Sequence, residues 1–283
     1  MKNIVITADC VCDMPESLLE QYGIKVIYFY VSTEHGWFKD MEEITSDNIA
    51  EYFKQGGVRV KTKAPLVEEY KAFFEKNLKD ADRVIHITMS SNLSLSYGRA
   101  TVAAESFEGR VLVVDSSLFS TGMAHLVIKA SELVREGKDE TEIISELDEM
   151  KHRVVTGFIA ESAEYLYRTG NVNRFVKEVC AIFNFHPVLI MKKGGMKLKA
   201  IKAGNYEKAV LRYVKGELRK RNKIETDRVF ITHASCSVKL IAKVKREVAR
   251  HCVFKDTMMT EASATISSNC GPNTVGVLFV RKP

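Results

Sequence analysis

The junction between a buried strand and a helix near residue 90 constrains the fold of this chain most. Residues 84–89 are mainly apolar or β-branched and predict a buried strand, which ends at the polar turn Ser90-Ser91-Asn92. Apolar residues then recur at the spacing of one helix face, at Leu93, Tyr97, Ala100 and Ala104. Ligands bind at this end of the strands in an open parallel sheet, and the N–H groups of a helix start attract anions. The junction therefore predicts an anion site or, more simply, a helix capped by Ser94 or Asn92.

The same order of strand, polar end and helix recurs through the first half of the chain. A strand over residues 3–8 ends at Asp9, and a strand over 110–114 ends at Asp115 and Ser116. Because the carboxyl ends of parallel strands lie on one edge of a sheet, we expect these side chains to line a polar crevice. The first half is therefore predicted to be an open parallel sheet flanked by helices.

The second half of the chain has a different pattern. Residues 187–191 and 196–201 flank the turn Gly194-Gly195 and predict a β-hairpin, after which helices alternate with further strands. This mixture predicts a C-terminal domain of mixed α+β type. Since 283 residues exceed the usual size of one core, we expect an α/β protein of two domains.

Charge divides near the middle of the chain. Residues 1–150 hold 16 Lys and Arg against 26 Asp and Glu, a net charge of −10, whereas residues 151–283 hold 26 against 10, a net charge of +16. The asymmetry favours domains at 1–152 and 153–283. The positive charge of the second half favours an anionic partner or ligand, and is equally typical of a solvated basic surface.

Composition argues against several classes of protein. No apolar run approaches the ~18 residues of a membrane span, and the first residues lack the pattern of a signal peptide, so a cytoplasmic location is expected. The six cysteines have no CxxC spacing, and the seven histidines have no metal-binding pattern. Neither a metal nor another cofactor is predicted.

A serine hydrolase or acyltransferase is the first alternative function, with Ser94 as nucleophile and Asp115 and His233 completing a triad. A nucleophile elbow has glycines two positions before and after its serine. Those positions are Asn92 and Ser96, so the tight turn is not supplied and an enzyme is not predicted.

A nucleic-acid-binding regulatory protein is the second alternative. Its support is the basic run Arg219-Lys220-Arg221 and the basic helix predicted over residues 237–250. Because no helix-turn-helix, zinc-finger or RNA-binding signature accompanies them, no nucleic-acid partner is expected.

Short motifs along nearly the whole chain together resemble the DegV family of bacterial fatty-acid-binding proteins. The likeness rests on the order of the motifs, since no single one is decisive. They are Thr7-Ala8-Asp9-Cys10, Asp13-Met14-Pro15, Lys61-Thr62-Lys63-Ala64-Pro65, residues 87–97, Val113-Val114-Asp115-Ser116, Tyr165-Leu166, His186-Pro187-Val188-Leu189 and residues 271–276.

The resemblance implies a carrier that holds one long-chain fatty acid, such as palmitate or stearate, in a crevice between two α/β domains. It further implies that the carrier presents the acyl carboxylate to a separate fatty acid kinase for acyl phosphate and phospholipid synthesis. By the same resemblance, Thr62 and Ser94 hydrogen-bond the carboxylate. The further expected ligand contacts are Ser91, Asn269 and Arg168. Hydroxyl donors at a helix start suit this role, because a buried carboxylate is costly without donors.

The chain departs from the family's pattern near the expected ligand. Leu95 stands where the family has a glycine after the serine, and Asn269 stands where it has a histidine. Asn171 takes the place of an arginine, and His186 that of a lysine before proline. These differences bear on the kinase partnership more than on ligand binding.

Overall fold

Two compact units make up the chain in the computed structural model, which describes residues 3–283. Unit 1 comprises the described residues up to Glu43 with Arg59–His152 and Lys193–Gly195, and unit 2 comprises Ile44–Val58, Arg153–Lys192 and Met196–Pro283. A single division after residue 152 differs from this composition, because residues 44–58 and 193–195 each group with the unit of the other half of the sequence. These two segments contain one helix and one turn, respectively. They are too short to change the pattern of residue types from which a domain boundary is predicted.

Unit 1 is built on a parallel sheet, as the repeated strand, polar end and helix predicted. Its four strands are β1 (Ile4–Asp9), β2 (Lys25–Ile27), β6 (Arg83–Thr88) and β7 (Val111–Asp115). They lie in the order β2-β1-β6-β7, and each adjacent pair is parallel.

Helices flank this sheet. They are α1 (Glu16–Tyr22), α3 (Val67–Asn77), α4 (Ser96–Ala104), α5 (Ser120–Arg135) and α6 (Glu140–Met150). α3 packs against α4, and Tyr70, Phe74 and Ala100 share a buried cluster with Val84 of β6. α5 packs against β1 and β6. The predicted parallel α/β half is confirmed.

A second, antiparallel sheet in unit 1 has the order β4-β3-β5. Its strands are β3 (Tyr30–Thr33), β4 (Gly36–Lys39) and β5 (Lys61–Lys63). The continuous apolar run over residues 25–31 by itself predicts a single strand. That prediction is wrong, since β2 ends at Ile27 and β3 begins at Tyr30 in the other sheet. The apolar run continues through the break because Phe29 is itself buried, with its N–H 3.2 Å from Cys10 Sγ.

Unit 2 is built on a mixed sheet of seven strands. They are β8 (Val154–Val155), β9 (Gly157–Ile159), β10 (Phe185–Lys192), β11 (Gly195–Ala203), β12 (Ile224–Ala234), β13 (Asp256–Glu261) and β14 (Thr274–Arg281). The order is β11-β10-β9-β14-β12-β13, with β8 paired to β14. β12 and β13 are parallel, whereas β14 is antiparallel to β12. The predicted hairpin and mixed α+β character are confirmed.

The helices of unit 2 are α2 (Ser46–Lys54), α7 (Glu164–Arg168), α8 (Arg174–Phe183), α9 (Tyr206–Glu217), α10 (Val238–His251) and α11 (Ala264–Cys270). α9 and α10 supply Tyr213 and Val244 to the core of the unit, which also holds Val277 of β14. α11 packs against α2 and α7. α11 is not predicted by the apolar pattern of the sequence, because its buried face includes polar residues such as Ser267. No helix within residues 3–283 is long and apolar enough to cross a membrane.

Candidate functional site

The carboxyl ends of β1, β6 and β7 meet at one edge of the parallel sheet. The strand register pairs Ala8 with Ile87 and Thr88 with Asp115. Asp9, the turn after β6 and Asp115 therefore lie along one edge, as the sequence predicted. This is the edge at which open α/β sheets bind ligands.

The turn after β6 leads into the start of α4, where Ser94 bonds the N–H of the first helical residue. The N–H groups of Leu93 and Ser94 donate to the Ser90 carbonyl at 2.9 and 3.1 Å, so α4 begins only at Ser96. Ser94 Oγ accepts from the Ser96 N–H at 3.1 Å. Ser94 thus satisfies one of the N–H groups that a helix start leaves open. It precedes the N-cap, however, which is Leu95 and makes no side-chain capping bond, so the prediction that Ser94 or Asn92 caps the helix is wrong. The expectation that Leu93 already belongs to the helix is wrong.

Residues 193–195 of unit 1 hold the beginning of this turn. Ser90, fully buried, donates from Oγ to the Gly194 carbonyl at 2.7 Å, and Asn92 Nδ2 donates to the Lys193 carbonyl at 3.2 Å. Gly194 has φ of +72°, and a Cβ there would lie 2.5 Å from Asn92 Nδ2. The local sequence around Gly194 predicts only a turn. Nothing in the local pattern indicates that the Gly194 carbonyl accepts a hydrogen bond from Ser90.

The four serines of the junction, at positions 90, 91, 94 and 96, differ in the acceptor of their hydroxyl proton. Ser91 donates from Oγ to Asp115 Oδ2 at 2.6 Å, and Ser96 donates from Oγ to Asp9. Ser90 donates to a backbone carbonyl, as described above. Within residues 3–283, Ser94 alone among them has no acceptor for its hydroxyl proton, while its oxygen is held by the helix start. Ser94 is therefore oriented and still able to donate.

Thr62 offers a second unpartnered hydroxyl in unit 1. It lies half-buried on β5, paired with Val31 of β3, and no hydrogen-bond partner of its side chain occurs in the described part of the chain. Arg99 of α4 donates from Nη1 to the carbonyls of Ala64 at 2.7 Å and Pro65 at 3.1 Å. The segment that follows Thr62 is thereby bonded to α4, the helix that begins two residues after Ser94.

A buried carboxylate lies behind the helix start. Asp9, with no exposed surface, accepts from the Met89 N–H at 2.8 Å, from the Tyr70 hydroxyl at 2.8 Å and from Ser96 Oγ. The Tyr70 hydroxyl is also 2.8 Å from Ser96 Oγ. Burial, and then the charge of Asp9, raise the pKa of Tyr70 well above its ordinary value, so Tyr70 stays a proton donor. The position of Asp9 at a strand end was predictable from the sequence, whereas no sequence signal points to Tyr70 as its partner.

His86 lies in the same buried region, within β6. Its Nδ1 is 2.9 Å from Thr7 Oγ1, and its Nε2 lies 3.4 Å from Asp9 Oδ1. The ring packs against Phe74 and Tyr70 in T-shaped contacts. Nε2 has no hydrogen-bond partner among residues 3–283. His86 thus directs a ring nitrogen toward Asp9, while aromatic side chains surround the rest of its ring.

The predicted contacts in unit 2 are bonded within their own helices. Asn269 Nδ2 donates to the Thr265 carbonyl at 2.7 Å and lies 3.4 Å from Ser268 Oγ. Arg168 Nε donates to Glu164 Oε1 at 3.0 Å, four residues earlier in α7. Both side chains therefore have local partners, unlike Thr62 and Ser94.

Two residues of the hydrolase alternative lie in different units, Asp115 in unit 1 and His233 in unit 2. Asp115 accepts from Ser91 and from the Ser117 N–H at 2.8 Å. His233 Nδ1 has no hydrogen-bond partner among residues 3–283. A triad needs a carboxylate bonded to one ring nitrogen of its histidine. The same residues contain no group of three or more His, Cys, Asp or Glu placed to hold a metal ion.

Comparison with known proteins identifies the relatives of this chain. The family model described as "Uncharacterised protein, DegV family" matches residues 3–282. A DegV domain-containing protein from Caldanaerobacter subterraneus subsp. tengcongensis is 28% identical over 284 residues, which cover 100% of both chains.

Solved structures share the fold over the whole length. A DegV family protein from Thermus thermophilus, described by its fatty acid binding, matches with a TM-score of 0.87 and 26% identity over 99% of this chain and 100% of that one. A DegV lipid binding protein from Thermotoga maritima matches with a TM-score of 0.85 and 25% identity over 100% of both chains.

Proposed function

This chain belongs to the DegV family, and on that premise we propose that it binds a long-chain fatty acid, with Thr62 and Ser94 donating hydrogen bonds to the carboxylate. One observation carries the proposal. Thr62 and Ser94 are half-buried hydroxyls of one unit that lack protein acceptors among residues 3–283, whereas the neighbouring serines donate to carboxylate or carbonyl oxygens. The description of the Thermus relative as a fatty acid binder is consistent with this ligand.

The chemistry of the two hydroxyls suits a fatty acid head group. A carboxylate has two oxygens that accept hydrogen bonds, and a hydroxyl donates to it without adding an opposite charge. The start of α4 adds a partial positive charge. Each methylene of the tail that is buried contributes about 0.8 kcal/mol, so the chain supplies most of the affinity and the hydroxyls fix its orientation. Binding needs no catalytic base, and the proposed role is that of a binding protein.

Native mass spectrometry of the protein purified from a bacterial host tests the proposal. We expect wild-type protein to carry a C14–C18 acid, and the double variant Thr62→Ala/Ser94→Ala to lose it. Each hydrogen bond to a charged group contributes about 1.5–3 kcal/mol, which corresponds to roughly a tenfold or greater loss of affinity per hydroxyl. A titration with palmitate and stearate measures that loss.

A matched double variant controls for the loss of two hydroxyls. Thr33→Ala/Thr101→Ala removes one hydroxyl from the three-stranded sheet that also holds Thr62, and one from α4. Both hydroxyls are already bonded within the protein. It should keep the bound acid. Wild-type protein with a clean apo mass and no uptake in titration would contradict fatty acid binding. Unchanged uptake by Thr62→Ala/Ser94→Ala would reject these two donors.

The finer part of the proposal is a carrier role, in which the bound acid is presented to a fatty acid kinase that forms an acyl phosphate. The family resemblance supports it, and the changes at Leu95, Asn171 and Asn269 make it the part to test separately. Loaded protein mixed with a fatty acid kinase from a DegV-encoding bacterium and ATP should give acyl phosphate, trapped with hydroxylamine. Intact loading without product would reject the carrier role and leave binding in place.

A further inference from the structure

The carboxylate of Asp9 gathers the elements that hold the start of α4. Asp9 ends β1, and its three donors come from Met89 after β6, Tyr70 on α3 and Ser96 at the first position of α4. The donors lie 80, 61 and 87 residues away in the sequence, and Asp9 has no exposed surface. A buried carboxylate that accepts several hydrogen bonds fixes its donors firmly, because each bond is charge-assisted and water does not compete.

Ser96 connects this carboxylate to Ser94. Its side chain is bound to Asp9 and Tyr70, while its backbone N–H donates to Ser94 Oγ at 3.1 Å. The Ser94 oxygen is therefore held from the side of the helix, and its proton is directed elsewhere. At the other end of the turn, the Ser94 N–H donates to the Ser90 carbonyl at 3.1 Å.

We propose that Asp9 is a positioning residue for the head-group site, which holds Ser96 so that the Ser94 hydroxyl is presented to the ligand carboxylate. This inference rests on the proposed role of Ser94 as a donor. Asp9 is buried and its oxygens are occupied by protein donors, so it acts through Ser96 and not by touching the ligand. The negative charge of Asp9 would by itself repel a fatty acid head group. Removing the charge of Asp9 should therefore strengthen binding if repulsion dominates, and weaken binding if the positioning of Ser94 dominates.

The substitution Asp9→Asn separates these two effects. The amide keeps the volume of the side chain but turns one acceptor into a donor, which then faces donors. We expect the dissociation constant for palmitate to rise about tenfold, as for loss of one well-placed hydrogen bond. Tighter binding by Asp9→Asn would show that charge dominates and would overturn the proposal.

Asp13→Asn is the matched control. Asp13 is also buried in unit 1 and accepts from Ser120 at the start of α5, and its φ of 55° tolerates asparagine. It should lower the unfolding temperature as Asp9→Asn does while changing palmitate affinity less than about twofold. Equal losses of affinity in the two variants would assign the effect to general stability and overturn the proposal.

A double-mutant cycle with Ser94→Ala tests the route through Ser94. If Asp9 acts by placing that hydroxyl, adding Asp9→Asn to Ser94→Ala should weaken binding by less than about twofold more. Independent, additive losses would overturn the proposal.

Hydrogen exchange provides a readout that needs no ligand. The Ser96 amide, bonded to Ser94 Oγ, should exchange at least about tenfold faster in Asp9→Asn than in wild type, and at the wild-type rate in Asp13→Asn. If wild-type protein binds no fatty acid, the proposed function fails while this exchange still tests the positioning. Unchanged Ser96 exchange in Asp9→Asn would overturn the positioning itself.

Discussion

The start of α4 in unit 1 and the helix α11 in unit 2 are both rich in small polar residues, but they satisfy them in different ways. In α11, Ser267 and Ser268 donate to carbonyls three residues earlier, and Asn269 donates to one four residues earlier. At the start of α4, Ser90 and Ser96 instead donate to groups distant in the sequence. Side chains bonded to their own helix need only the helix, whereas those at α4 need the tertiary structure. The arrangement at α4 leaves an oriented hydroxyl available, at Ser94.

The largest contrast is expected between Asp9→Ala and Asn269→Ala. Removing the Asp9 side chain leaves three buried donors without their acceptor, at about 1–3 kcal/mol for each group, so we expect a loss of at least about 3 kcal/mol in the free energy of unfolding. Asn269→Ala removes bonds that lie within one helix and should cost below about 1 kcal/mol. Urea denaturation measures both, and similar losses would contradict the contrast.

Asn269→Ala also sharpens the contrast in binding. Because its amide already has partners in α11, we expect palmitate affinity to change less than about twofold, against roughly tenfold for Ser94→Ala. Arg168→Ala should likewise have a small effect, since Arg168 is paired with Glu164. A tenfold loss from either variant would make unit 2 a principal source of head-group donors.

Gly194→Ala breaks the long-range contact that holds Ser90. The positive φ alone costs about 1 kcal/mol for alanine, and the new Cβ would displace Asn92 and press on Ser90 Oγ, 3.1 Å away. We expect a total loss of about 2 kcal/mol and weaker palmitate binding. Gly204→Ala is the control, because Gly204 has φ of +86° with no atom within 4 Å of an added Cβ. If the free energy of unfolding falls no more in Gly194→Ala than in Gly204→Ala, Asn92 and Ser90 make room for the new Cβ at no cost in stability.

Leu95→Gly tests the family difference beside Ser94. Leu95 is 68% exposed, and its φ of −77° does not require glycine. Removing a solvated side chain at the helix start should change stability by no more than about 0.5 kcal/mol and leave palmitate affinity unchanged. A large gain in affinity, measured by titration, would show that Leu95 obstructs the ligand.

The smallest effect is expected at Glu261, a partly exposed carboxylate of unit 2 that contrasts with Asp9. Burial, and then the charge of Asp47, raise the pKa of Glu261 above its ordinary value of 4.5. A raised folded-state pKa means that the folded state holds the proton more tightly. The stability is then greatest below pH 4.5 and falls as the pH rises through the folded-state pKa. Glu261→Gln should therefore raise the melting temperature at pH 7 by roughly 1–2 °C and have less effect at pH 4.

Glu207→Gln is the opposing control for this pH dependence. The hydrogen bond and charge of Lys243 lower the pKa of Glu207, so its contribution is present above pH 4.5 and disappears as the pH falls through the lowered value. It should lower the melting temperature at pH 7. A melting temperature of Glu261→Gln below that of wild type at pH 7 would contradict the assigned sign.

Most of the elements could be predicted because their signals are local. The parallel sheet of unit 1 followed from strands that end in polar residues, and the β10–β11 hairpin followed from Gly194-Gly195. The failures have local causes as well. The break between β2 and β3 lies in an unbroken apolar run, and α11 carries polar residues that bond their own backbone. In both places the burial that decides the structure comes from other elements.

The sequence by itself determined the order of strands and helices, the polar edge at Asp9 and Asp115, and the resemblance that singled out Thr62 and Ser94. These features depend on residue type and on spacings within one element or motif. Only the tertiary structure decided which of the four serines keeps a hydroxyl to donate, because the acceptors of the others come from distant parts of the chain. Hydrogen bonds between residues 24 to 104 positions apart leave no trace in local periodicity. Ser94 is distinguished from its neighbours by that difference in partners.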